Sequence, residues 1–207
     1  MTITTPPDAP ERPSHDGHGA PAEARQRLAV LLFIGVDAVF VVCLLFSYYY
    51  LRGLNTDGNW LVKGAHAEAA WATWVIALIA VASAAVLHWG EQGIDEGDNG
   101  RVLLGITGAL LLVVADIVGQ VWQLATLKGH LSDGSYASAF RVLIGYHLVH
   151  LLLLAFLGFG LLNRARAGVD RSRAAVQVRL VRYFWDWVAV AAVLTAITTW
   201  FVASPRA

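Results

Sequence analysis

AVLLFIGVDAVFVVCLLFSYYYL, Ala29–Leu51, is the stretch whose reading decides the fold. Coiled as a helix rising 1.5 Å per residue, it reaches about 34 Å, enough to cross roughly 30 Å of hydrocarbon. Asp37 interrupts it, and Tyr48, Tyr49 and Tyr50 close it where a membrane interface favours aromatic rings. Four further runs of the same kind follow, at 70–89, 102–124, 140–163 and 183–203. Trp71, Trp74, Trp89 and Trp200 stand near their ends. A membrane barrel needs alternating segments of about ten residues, and these runs do not alternate. Backbone groups inside lipid must be satisfied within the segment, which leaves helices. The expectation is an all-α integral membrane bundle of five transmembrane helices over 29–203.

Composition agrees. The chain of 207 residues is 57% hydrophobic and 14% charged. Soluble domains run nearer about 45–50% apolar and about 25% charged, so an ordinary soluble protein is excluded. Fifteen basic and fifteen acidic residues cancel, which argues against a nucleic-acid partner. The single cysteine, Cys43, lies inside the first run and has no partner for a disulfide. Residues 1–28 hold five prolines and mixed charges, and read as a disordered tail with no cleavable signal. His15 and His18 in that tail are a poor metal site, because two histidines alone do not complete one.

Orientation follows from the basic residues. With five spans, the tail and the second and fourth loops share one side, carrying 10 Lys and Arg against 5 on the other. The positive-inside rule then places the N-terminus in the cytoplasm and the C-terminus outside.

Ionisable groups inside spans cost about 2.5–3.5 kcal/mol each at a helix centre, so each needs a reason. The spans hold Asp37, Asp116, Gln120, His147, His150 and Asp186. Counted along the helical rise from the cytoplasmic ends, Asp186 lies about 5 Å deep, Asp37 about 12 Å, and Asp116 and His150 both near 20 Å. Equal depth suggests an Asp116–His150 hydrogen bond between the third and fourth spans. Asp37 reads equally as a proton relay or as a structural acid bonded to a neighbouring helix. His147 and His150, three residues apart, read as a metal or haem site or as packing bonds, and packing is favoured because a bis-histidine haem needs ligands from two facing helices and His88, the only other span histidine, lies near a membrane surface. No phosphate loop, nucleophile triad or cysteine cluster is present. No catalytic residue and no metal site are expected.

Three stretches together resemble subunit III of the haem–copper oxidases (the cytochrome c oxidase type), in its short bacterial five-helix form. LLFIGVDAVFVVCLLFSYYYLR (Leu31–Arg52) is similar to that form's first helix, with Asp37 where the family usually has Glu. FRVLIGYHLVH (Phe140–His150) matches the family's Gly-x-His-x-x-His signature through Gly145, His147 and His150. VRYFWDWVAVAAVLTAITTWF (Val181–Phe201) is similar to the last helix, with Phe184 and Asp186 in place. Arg182 and Tyr183 stand where the family commonly has Trp and His, and Gln120 stands roughly where it often has Glu.

The resemblance implies a non-catalytic subunit of a bacterial inner-membrane respiratory complex that oxidises cytochrome c or quinol, reduces oxygen and translocates protons. It implies partners in catalytic subunit I and subunit II, which hold the haem and copper. It implies bound phospholipid and no redox cofactor on this chain. Asp37 becomes a buried acid that supports proton uptake. His147, His150, Asp186, Asp116 and Gln120 become packing or lipid-cleft residues. Two other functions are weighed beside it: an accessory membrane subunit of a nitric oxide reductase, which shares the His-x-x-His helix and five spans, and, more distantly and from a different class, a small proton-coupled carrier.

Overall fold

Long apolar runs without internal proline leave each segment able to satisfy its own backbone. The computed structural model describes residues 19–54, 60–61, 70–127, 134–167 and 171–203. They form five helices: α1 (Gly19–Leu54), α2 (Ala70–Glu96), α3 (Asn99–Thr126), α4 (Ser135–Arg166) and α5 (Arg171–Ala203). There is no strand among the described residues. All five helices are long and apolar enough to cross a membrane.

The helices outlast the apolar runs at one end. α1 starts at Gly19, so residues 19–28 are helical where the sequence suggests a disordered tail. α2 continues through the acidic stretch to Glu96, and α5 begins at Arg171 inside the basic fourth loop. The α2 and α5 extensions are joined by charge pairs. Arg182 Nε lies 2.8 Å from Glu91 Oε2, and Arg179 Nη2 lies 3.1 Å from Asp95 Oδ1. The basic fourth loop is thus largely a helical arm paired with the acidic one. His15 and His18 fall outside the described residues.

α2 and α3 form a tight hairpin. Gly97 adopts φ 74°, a left-handed conformation that favours glycine, and Asp98 caps α3 by accepting from Arg101 N at 3.0 Å. Arg101 then folds back over α2, donating to the Trp89 carbonyl at 2.9 Å and to Gln92. Above the turn the two backbones touch: a Cβ built on Gly105 would lie 2.3 Å from Gly90 Cα. In lipid the hydrophobic effect gives no preference for helix over solvent tails, so close approach of this kind is what holds helices together.

The packing order follows from neighbour relations. α2 packs on α3 and α5, α3 on α4, and α4 on α5, which closes a four-helix ring. Its interior is small-residue rich, with Ala77, Ala80, Ala109, Ala192 and Ala196 around Leu87, Val113, Leu151, Leu154 and Trp185. Trp185 Nε1 finds an acceptor there in Ser83 Oγ at 3.0 Å. α1 lies outside the ring, against α4 and α5. Only 6% of its span is buried, against 28–44% in the other four. A second aromatic core, Tyr48, Trp60, Tyr136 and Phe140, fastens its far end.

Candidate functional site

An acid on the peripheral helix needs hydrogen-bond partners from its neighbours, and Asp37 finds three. Tyr146 Oη of α4 donates to Asp37 Oδ2 at 2.5 Å, and Trp187 Nε1 of α5 donates to the same oxygen at 2.6 Å. His150 Nε2 of α4 faces Asp37 Oδ1 at 3.2 Å. The other ring nitrogen, Nδ1, lies 2.8 Å from the Tyr146 carbonyl oxygen, which only accepts, so Nδ1 carries a proton. The Nε2–Oδ1 contact then needs a second proton, on either the imidazole or the carboxyl. The pair as a whole is neutral, as burial in an apolar span demands. Aromatic rings wall it in, with Tyr146 4.1 Å and Phe184 5.8 Å from the His150 ring.

The cluster borders an apolar cleft of about 310 Å³ between α1 and α4. Phe40, Leu44, Val142 and Val149 line its length, and Asp37, Tyr146 and His150 sit at its polar end. Charge-bearing groups beside a lateral cleft provide one polar anchor in an otherwise apolar groove. They hold no nucleophile arrangement, and among the described residues no group of three or more His, Cys, Asp or Glu converges as a metal site.

Asp116 and His147 make a different pair inside the ring. His147 Nε2 stands 3.6 Å from Asp116 Oδ2, with both side chains sealed from the surface. The expected Asp116–His150 bond is therefore overturned: His150 belongs to Asp37, and His147 faces Asp116. Depth along the helix predicts level but not direction. Three residues turn an α-helix by about 300°, so His147 and His150 point about 60° apart, and α4 sends one to α3 and the other to α1. Gln120 of α3 lies near this inner pair, and both it and His147 line one small cavity.

Asp186 joins neither pair. It accepts from His88 Nε2 at 2.9 and 3.1 Å, and Arg182 Nη1 lies 3.2 Å from His88 Nδ1. The same Nη1 lies 3.4 Å from His88 Nε2, so the His88 ring bridges Arg182 and Asp186. Arg182 and Arg27 also flank the Tyr183 ring, 5.1 and 5.5 Å from its centroid. The two residues that depart from the family's usual last helix thus have partners of their own.

Sequence reasoning missed Tyr146, Trp187, Gln123 and Thr73, and set His88 aside as too near the surface. The signal for Trp187 was its indole N–H, which seeks an acceptor when buried.

The sequence profile of the family described as Cytochrome c oxidase subunit III matches residues 11–203. The chain belongs to this family. A protein of Thermostichus vulcanus named cytochrome c oxidase subunit 3 is 28% identical, over 79% of this chain and 80% of its own length. The protein of that name from Corynebacterium diphtheriae is 25% identical, over 84% and 87%. The one from Synechocystis sp. is 26% identical, over 86% and 75%. As an oxidase subunit III, the chain works in a complex with other oxidase subunits. It is a multi-pass protein of the bacterial inner membrane.

Proposed function

We propose that this subunit III is non-catalytic, and that it stabilises catalytic subunit I and sustains proton uptake by the complex. Haem and copper then belong to subunits I and II, whose complex oxidises cytochrome c or quinol, reduces oxygen to water and translocates protons. The observation that carries this reading is the Asp37 cluster. It ties the peripheral helix to the ring through three hydrogen-bond partners, beside an apolar cleft of about 310 Å³. The cleft takes a phospholipid, with Asp37, Tyr146 and His150 at its polar end. His147, Asp116, Gln120 and Asp186 fix helix packing. The excess of Lys and Arg on that side supports a cytoplasmic N-terminus and cytoplasmic α2–α5 arms.

Mild-detergent purification of the tagged chain, with mass spectrometry and a reduced-minus-oxidised spectrum, tests the reading. The expected result is haem in stoichiometric company with an oxygen-reducing subunit I. A nitric oxide reductase as partner, or a haem-free solitary chain that moves protons in liposomes, overturns it. In the assembled complex, Asp37→Asn is expected to shorten sustained turnover more than it lowers the initial rate.

A further inference from the structure

At the centre of the four-helix ring, Asp116 is 0% and His147 is 3% exposed. Neither oxygen of Asp116, neither ring nitrogen of His147, nor Oε1 of Gln120 has a hydrogen-bond partner within the protein. The 3.6 Å separation of His147 Nε2 and Asp116 Oδ2 is beyond hydrogen-bond range. Buried polar atoms in folded proteins are bonded either to protein or to ordered water. Within a membrane span, bulk solvent does not supply those bonds.

A cavity lies against Gln120 and His147, with Asp116 behind the imidazole rather than in its wall. It offers about 10 Å³ to the centre of a water molecule, the space of one water. Its polar lining is Thr73, Gln120, Gln123, His147 and Thr195, drawn from all four helices of the ring. Thr195 Oγ1 donates to the Ala191 carbonyl at 2.9 Å, which leaves its lone pairs available. Gln123 Nε2 only grazes Thr73 Oγ1 at 3.5 Å. The site therefore has space for one water and the two to four polar partners that such a water needs.

We propose that this cavity holds one ordered water, bound by His147 and Gln120, and that the imidazole joins the water to Asp116. Nε2 faces Asp116, so Nδ1 is the ring atom left for the water. The bonds then run in one direction: Asp116 with Nε2, Nδ1–H to the water oxygen, and the water O–H to Gln120 Oε1. Closing the Asp116–His147 gap takes a shift of a few tenths of an ångström. An unbalanced charge sealed here is prohibitive, so Asp116 and His147 share one proton and the pair is neutral. The water site is independent of the Asp37 cluster, and of which enzyme the subunit serves.

The test is a structure of the assembled complex at a resolution that shows waters, together with infrared spectra in ordinary and ¹⁸O-labelled water. The expected result is one density peak within hydrogen-bond reach of His147 and Gln120, and an O–H stretching band that shifts with ¹⁸O. Gln120→Leu is expected to remove both. A dry cavity in the wild-type complex, with Asp116 and His147 closed onto each other and no ¹⁸O-sensitive band, overturns the proposal. If Gln120→Leu fails to assemble, the wild-type density and isotope shift still decide it.

Discussion

His150 meets a carboxylate that already takes two other donors, whereas His147, three residues earlier on α4, meets one that takes none from the protein. The saturated pair lies at the edge, where α1 leans on α4 and α5 beside an open cleft. The unsaturated pair lies in the centre, where four helices close around it. Burial alone suggests that the central pair matters more for stability. Bond counting says the reverse: the edge pair is the joint, and the central pair is a polar inclusion in a core that small residues already hold together.

That contrast breaks most readily at Asp37. Asp37→Leu leaves Tyr146, Trp187 and His150 without their acceptor, and is expected to cost about 3–5 kcal/mol. Unfolding of the chain in mixed micelles measures it, with loss of α1 docking read by limited proteolysis. Trp187→Phe removes one donor to that carboxylate and is expected to cost about 1.5–3 kcal/mol. Combined with Tyr146→Phe, the losses are expected to be non-additive, because both bonds end on the same oxygen. Asp116→Leu removes a carboxylate that takes no hydrogen bond from the protein and is expected to cost only about 1 kcal/mol by the same assay. A loss equal to that of Asp37→Leu reverses the comparison. His88→Gln is expected to have the smallest effect, about 0–1 kcal/mol, since solvent screens a pair whose side chains are 42% and 36% exposed.

The five spans were legible because length and apolarity are properties of each segment alone. The continuation of α2 and α5 beyond the apolar runs was not. There Glu91 and Asp95 meet Arg179 and Arg182 across nearly ninety positions of sequence. Asp37, His147 and His150 were legible as costly groups that need partners. Which carboxylate each histidine takes was not, because azimuth depends on how α4 is rotated within the bundle. Gln123 and Thr73, uncharged, gave no warning of their shared cavity. The family resemblance, carried by Gly145, His147 and His150 and by the flanking helices, reached the correct family where bond-by-bond reasoning stopped.

The position of Asp37 also sets a schedule for synthesis. Tyr146 lies 109 residues downstream and Trp187 lies 150. At about 5–20 residues per second, α1 waits roughly 7–30 s in the bilayer before its last donor leaves the ribosome. For the first 109 residues of that interval its acid has no partner on the growing chain. The first helix made is thus the last to receive all of its bonds.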